Sequence, residues 1–232
     1  MVKLRRKRAP SPILDLANPT DRRRAWADLT WGDHGFLRAR FSNLHRISDE
    51  MWRSNQPGPR HIAEHAQKRG IRTIINLRGR SEKGYWRLED EACRQHGIAL
   101  IDFQMYSREL PTAARIHEAR ELFETIACPA LMHCKSGADR AGIMAVLYMH
   151  FRKKLPIAQA VEQLSFRYLH VRQGRTGVLD ALFETYLTRG APLGLSFIDW
   201  VDSADYDPAA IKSDFLASGK ARLGLDTLLR RE

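Results

Sequence analysis

Three short apolar runs, 71–77 (IRTIINL), 97–103 (GIALIDF) and 129–133 (PALMH), recur along the chain with helix-length segments between them. Runs of this length, rich in β-branched and bulky apolar residues and opened by Gly or Pro, read as buried strands. Helical patterns at 60–69 and 83–96 precede the first two, and a helix beginning near Pro111 and Thr112 precedes the third. Strands that alternate with helices are joined by right-handed crossovers and form a central, mostly parallel sheet flanked by helices. The predicted class is therefore α/β. After the third run, 138–152 is apolar on nearly every face (Ile143, Met144, Val146, Leu147, Met149, Phe151), the mark of a central buried helix. Further helices predicted at 156–168 and 176–187 make the C-terminal half helical.

With 44% hydrophobic and 28% charged residues in 232, the chain can bury a core and is not a disordered polymer. The longest stretch without Asp, Glu, Lys or Arg is 141–151, well short of the ~20 residues that cross a bilayer. The basic start is followed by Ala9-Pro10-Ser11-Pro12, where a secretory signal needs an apolar run, so export is not expected. Cys93, Cys128 and Cys134 are odd in number with no paired spacing, which suits a reducing, cytoplasmic setting. An excess of 38 Lys+Arg over 27 Asp+Glu, net charge +11, favours anionic partners.

Residues 1–40 hold ten Lys/Arg and three Pro and are expected to form a basic N-terminal arm, loosely attached. Its cluster Lys3, Arg5, Arg6, Lys7 and Arg8 predicts reversible contact with an anionic membrane at its inner face. The catalytic-sized domain is expected over 41–189. Gly190-Ala191-Pro192 breaks the pattern, and 190–232 reads as a C-terminal appendage with Trp200 as an anchor.

The segment His133-Cys134-Lys135-Ser136-Gly137-Ala138-Asp139-Arg140-Ala141-Gly142 lies where the third strand ends and the buried helix begins. Small residues at Ser136, Gly137 and Ala138 let backbone N–H groups turn inward at the positive end of a helix dipole, which makes an anion cradle. The same field favours the thiolate of Cys134 over the thiol, and the thiolate is the nucleophilic form. Arg140 returns after one loop turn, where its planar fork can grip two oxygens of a phosphoryl group.

Cys-x5-Arg in this setting resembles the signature of the cysteine-based protein tyrosine and dual-specificity phosphatases. The resemblance runs from about 46 to 187, and WRSNQP at 52–57 followed by a helix and IRTIINLR is similar to the opening of bacterial dual-specificity-like phosphatases. It implies a dual-specificity-phosphatase-like fold and two-step hydrolysis through a phospho-cysteine, with neither metal nor cofactor. It also implies phosphate binding by Lys135, Ser136, Gly137, Ala138, Asp139 and Arg140, with Cys134 as nucleophile. An Asp that protonates the leaving oxygen is expected, and Asp102, 32 residues before Cys134 at the end of GIALIDF, fits it. Asp139 is its rival and Glu109 a third choice. Arg78, Arg80, Lys83, Arg108 and Lys135 are expected to ring one cationic cleft, His133 to orient Cys134, and Arg172, Gln173 and Arg175 to contact substrate or water.

Where the family carries Ser or Thr after the signature Arg, this chain has Ala141, which predicts either slower breakdown of the phospho-cysteine or substitution of the missing hydroxyl by Ser136 or a water. The expected substrates are a phosphotyrosine protein or an anionic phospholipid, the spacing being similar to the phosphatidylglycerophosphate phosphatase branch. A non-catalytic phosphate-binding pseudophosphatase module and an RNA 5'-triphosphatase are the alternatives. Aromatic platforms interleaved with basic residues are not evident, so nucleic acid is disfavoured as a partner.

Overall fold

A computed structural model describes residues 14–38 and 40–220. The 3–8 cluster and the end of the chain after 220 lie outside the described residues. Five strands, β1 (His45–Arg46), β2 (Met51–Ser54), β3 (Thr73–Asn76), β4 (Ala99–Asp102) and β5 (Ala130–His133), form one sheet in the order β1-β2-β5-β3-β4. The β1–β2 pair is antiparallel and every other pair is parallel, so the sheet is mostly parallel with β5 at its centre.

All four residues of β3 and of β5 are buried. Successive side chains of a strand point to opposite faces, so such a strand must be covered on both. On one face Ile74 and Leu131 join Ile62 of α3 (Pro59–Arg69) and Ala92 and Cys93 of α4 (Gly84–Gln95). On the other, Ile75 and Met132 meet Ile116 and Phe123 of α5 (Ala113–Thr125) and nearly the whole length of α6 (Asp139–Phe151). This is the helix-flanked α/β architecture read from the alternation of runs. The first two predicted strands are trimmed at both ends and the third by its first residue. The β1–β2 hairpin has no such signal, because β2 reads Met-Trp-Arg-Ser with Arg53 at its centre.

Helix α1 (Pro19–Ala27), capped by Asn18, whose Oδ1 accepts the N–H groups of Thr20 and Asp21, packs on α4. Ala25 is fully buried there, and Arg22 donates to both carboxylate oxygens of Glu91 at 3.0 and 2.6 Å. The described part of the segment expected as a loose arm is thus packed against the domain. The short α2 (Gly35–Arg38) follows.

The helix predicted over 156–168 is broken. Helix α7 (Ile157–Ala160) gives way to 3-10 turns at Val161–Gln163 and Phe166–Tyr168, and Leu169 sits at φ +66°. The Gln163 carbonyl is taken by the Arg53 guanidinium at 2.7 Å. Helix α8 (Val178–Thr185) follows, then α9 (Phe197–Val201) and α10 (Pro208–Ala217). Phe197 and Trp200, both fully buried, stack with Tyr186 at centroid distances of 5.2 and 5.6 Å, and the segment expected as an appendage so contributes to the main core.

Candidate phosphate-binding site

Strand β5 ends at His133, and the chain turns through 134–138 into α6. Gly137 carries the turn at φ +77°, and a Cβ there would lie 2.6 Å from the backbone carbon of Ser54, so only glycine fits. Its N–H points inward and donates to Cys134 Sγ at 3.2 Å. Ala138, the N-cap of α6, supplies no side-chain cap, so the N–H groups of the first turn, left orphaned by helix geometry, are open to an anion. Cys134 is buried at the floor of this turn and Arg140 is half-buried at its end.

What turns the loop's amides inward is a set of bonds to its carbonyls. Arg53, with no exposed surface, donates from Nη2 to the carbonyls of Gly137 and Ala138 at 2.9 and 2.8 Å. Its guanidinium lies 4.2 Å from the Tyr168 ring centroid. Burial pulls the Arg53 pKa down to about 10, against the opposing influence of Cys134, Tyr168 and Asp139. Asn43 Nδ2 ties the Ser136 carbonyl (2.9 Å) to that of Tyr168 (3.3 Å), and the Gln56 N–H donates to the Lys135 carbonyl at 3.3 Å. The sequence reading missed Arg53 and Asn43 as parts of the site. The available signal was an arginine centred in the WRSNQP motif.

Asp139 opens α6 and is buried. Its Oδ1 accepts His170 Nδ1–H at 2.8 Å, and His170 Nε2 lies 2.7 Å from Asp180 Oδ2. Burial works to lower the His170 pKa, but hydrogen bonds to the two carboxylates push it up to about 9, so the ring is an imidazolium donating from both nitrogens. Arg172 Nε stands 3.2 Å from the other Asp180 oxygen.

Asp102 ends β4 at the edge of the sheet, level in register with Asn76 and, one strand further in, His133. Its Oδ1 accepts Asn76 Nδ2–H at 2.7 Å and Trp86 Nε1–H at 3.0 Å. Glu109 is exposed and ion-paired with Lys212. His133 is fully buried, with Nε2 2.6 Å from Glu89 Oε1, so its described partner is on α4 and not Cys134.

Of the cations expected to ring the cleft, Arg78 is engaged by a buried carboxylate. Asp33, buried between α1 and α2, takes both Arg78 nitrogens at 2.8 and 2.7 Å and Arg38 Nη2 at 2.5 Å. Burial works to raise the Asp33 carboxyl, yet the Arg78 hydrogen bonds and the charges of Arg78, Arg38 and Lys135 hold it below the usual carboxylate range. Arg78 also stacks over Tyr85 at 3.8 Å and donates to Gln56. Arg80 lies over Trp86 at 5.1 Å, Lys83 is exposed, and Arg172 is engaged by Asp180 and Glu184. Of the cleft cations, Lys135 stands in the loop itself, and burial lowers its pKa. Among the described residues no cluster of His, Cys, Asp and Glu could hold a metal ion.

Ala141 is fully buried in the main core, so no hydroxyl follows Arg140. Ser136 Oγ accepts the Ala138 N–H at 3.4 Å and stays on the loop.

Residues 43–180 match the family described as DSP-PTPase phosphatase fused to NAD+ kinase. No curated protein matches the chain. Among solved structures, P. aeruginosa TpbA is similar with a TM-score of 0.50 at 18% identity, over 66% of this chain and 91% of that one. A Cys-to-Ser form of TpbA in complex with pTyr has the same score and identity over 66% and 90%. PTPMT1 is similar at 17% identity over 64% and 99%, with a TM-score of 0.48. At these identities the likeness is one of fold.

Proposed function

Because the chain belongs to the family described as DSP-PTPase phosphatase fused to NAD+ kinase, we propose that it is a cysteine-dependent phosphomonoester phosphatase. The observation that carries the reading is the buried Cys134 sulfur receiving the Gly137 N–H inside a loop whose carbonyls are drawn outward by Arg53. A sulfur in that position shares its amide donors with a bound phosphoryl group.

In this reading the Cys134 thiolate attacks phosphorus, an S–P bond forms and the bond to the leaving oxygen breaks. Lys135, Ser136, Gly137, Ala138, Asp139 and Arg140 hold the phosphoryl oxygens, through backbone N–H groups and, for Arg140, through the guanidinium. The leaving oxygen takes its proton from Asp102. Water then attacks phosphorus, giving up a proton that restores Asp102, and the S–P bond breaks to return the thiolate. Asp102 is preferred to Asp139 because it is exposed at the sheet edge, whereas Asp139 is buried against His170. The substrate is a phosphotyrosine protein or an anionic phospholipid, in keeping with the net charge of +11. A cytoplasmic setting with peripheral contact of the 3–8 cluster on an anionic membrane completes the reading. No helix among the described residues is long and apolar enough to cross a membrane.

Release of nitrophenol from nitrophenyl phosphate tests the proposal. Cys134→Ser is expected to abolish release while tungstate binding persists, and an active Cys134→Ser protein would remove the proposed nucleophile. Asp102→Asn is expected to slow alkyl phosphates by about 10²–10⁴ and the nitrophenyl ester far less. Equal slowing would move the acid role to Asp139, or to Glu109 as third choice. The buried Ala141 favours one second reading, a phosphate-binding module without turnover. It requires tungstate binding with no nitrophenol release from the parent chain. Parallel rates on phosphotyrosyl peptide, phosphatidylglycerophosphate and RNA 5'-triphosphate rank the substrate classes.

A further inference from the structure

A buried carboxylate beside an anion cradle is a problem that the fold must solve. Asp139 is the residue between Ala138 and Arg140, at the N-terminus of α6 where an incoming oxyanion would sit. Left to itself, a carboxylate there would repel the oxyanion and compete for the Arg140 guanidinium. Its side chain instead runs to His170, which has no exposed surface and touches Asp180 through its second nitrogen. His170 belongs to the irregular segment 163–170 that lies behind the loop. That segment is linked to the loop in three places: by Arg53, between the Gln163 carbonyl and those of Gly137 and Ala138; by Asn43, between the Tyr168 and Ser136 carbonyls; and by His170 to Asp139.

We propose that His170 is a positioning residue for the phosphate loop: it draws the Asp139 carboxylate back toward α8, so that the first-turn N–H groups of α6 meet the substrate's charge without the Asp139 carboxylate beside it. The inference rests on the phosphatase reading. The charges facing His170 are Asp139 from α6 and Asp180 from α8, with Arg172 beyond Asp180. Arg53 acts on Asp139 from the β2 side. The imidazolium is thus bracketed by two carboxylates, and Arg172 offsets the second negative charge at Asp180.

The full chain is tested with tungstate binding by calorimetry and with nitrophenyl phosphate kinetics at pH 6. His170→Gln is expected to weaken tungstate binding by about tenfold or more and to raise KM in step, with kcat changing less. Adding Asp139→Asn to His170→Gln removes the stray charge and is expected to restore most of the lost affinity. A purely structural His170 would lower the melting temperature without this rescue, so a double variant as weak as the single overturns the proposal, as does a single variant that binds like the parent. Should His170→Gln not fold, Asp139→Asn alone still decides. In the parent, tungstate affinity is expected to fall as pH rises through about 9 and His170 loses its charge, and in Asp139→Asn this fall is expected to be smaller; a fall of the same size in both overturns the idea. A parent chain that neither binds tungstate nor releases nitrophenol overturns the phosphatase reading and this inference with it. A binding, active parent beside an unaffected His170→Gln overturns this inference alone.

Discussion

Arg53 is a fully buried cation whose described hydrogen-bond acceptors are three backbone carbonyls and the Gln163 side-chain oxygen, with a tyrosine face beside it. Burying a guanidinium is costly unless its donors are met, and here Nη1 and Nη2 are spent on shaping the loop and its neighbour while Nε has no hydrogen-bond partner among the described residues. Arg53→Met would keep the side-chain bulk and leave those carbonyls unpaired. An expected loss of about 3–5 kcal/mol follows, measured by urea unfolding. Arg53→Lys keeps the charge but not the fork, and is expected to lose oxyanion affinity. His170 gives a pH signature of its own. Its folded pKa, about 9, lies above the ordinary 6.5, so its stabilising contribution is fully present below pH ~6.5 and is lost as pH rises through ~9. Unfolding free energy should therefore decline across that window in the parent and decline less in His170→Gln.

At the scale of elements, two close approaches determine how pieces meet. The phosphate loop crosses β2 so tightly that a Cβ on Gly137 would strike the Ser54 backbone, and α4 begins against α1 with a Cβ on Gly84 placed 2.4 Å from Ala25 Cα. Gly84→Val is therefore expected to lift α1 from α4, which accelerated proteolysis near Arg22, Arg23 and Arg24 would register. Asp33 stays beside Arg78 through the short stretch after α1, so the same variant should also loosen that pair. The elements differ in how readable they were. Strands β3 and β5 announce themselves because a doubly covered strand must be apolar throughout, or nearly so, and the edge strand β4, only half-buried at its centre, is marked by Leu100 and Ile101. Strand β2 does not, since Arg53 interrupts its run. The region after α7 was read as one helix because its local composition suits a helix, whereas Arg53 diverts the Gln163 carbonyl from helical bonding.

The whole molecule closes through its last described helices. Phe197 and Trp200 fill the end of the core against Tyr186, Phe183 and Phe151, and Tyr206 donates its hydroxyl to the Pro111 carbonyl at 2.5 Å. Trp200→Ala is expected to cost about 3–5 kcal/mol by the cavity it leaves, against a few tenths for a segment merely attached. Thermal melting of the full chain separates the two. The net charge of +11 acts at this scale too, although Asp33 withdraws Arg78 and Arg38 from the part of it that faces a ligand.

The alternation of strand and helix, the buried central helix and the small-residue loop between Cys134 and Arg140 were all legible along the chain, because each depends on neighbours a few residues apart. Periodicity, turn chemistry and helix polarity act over that range. The partners that hold the loop open could not be read in the same way. Arg53 reaches Gly137 across 84 residues, Asn43 reaches Ser136 across 93 and His170 meets Asp139 across 31. Nothing local distinguishes a buried cation from a solvated one, or an arginine that greets a ligand from one already claimed by Asp33. Those choices belong to packing, which brings distant polar groups into low dielectric where each must find a counterpart.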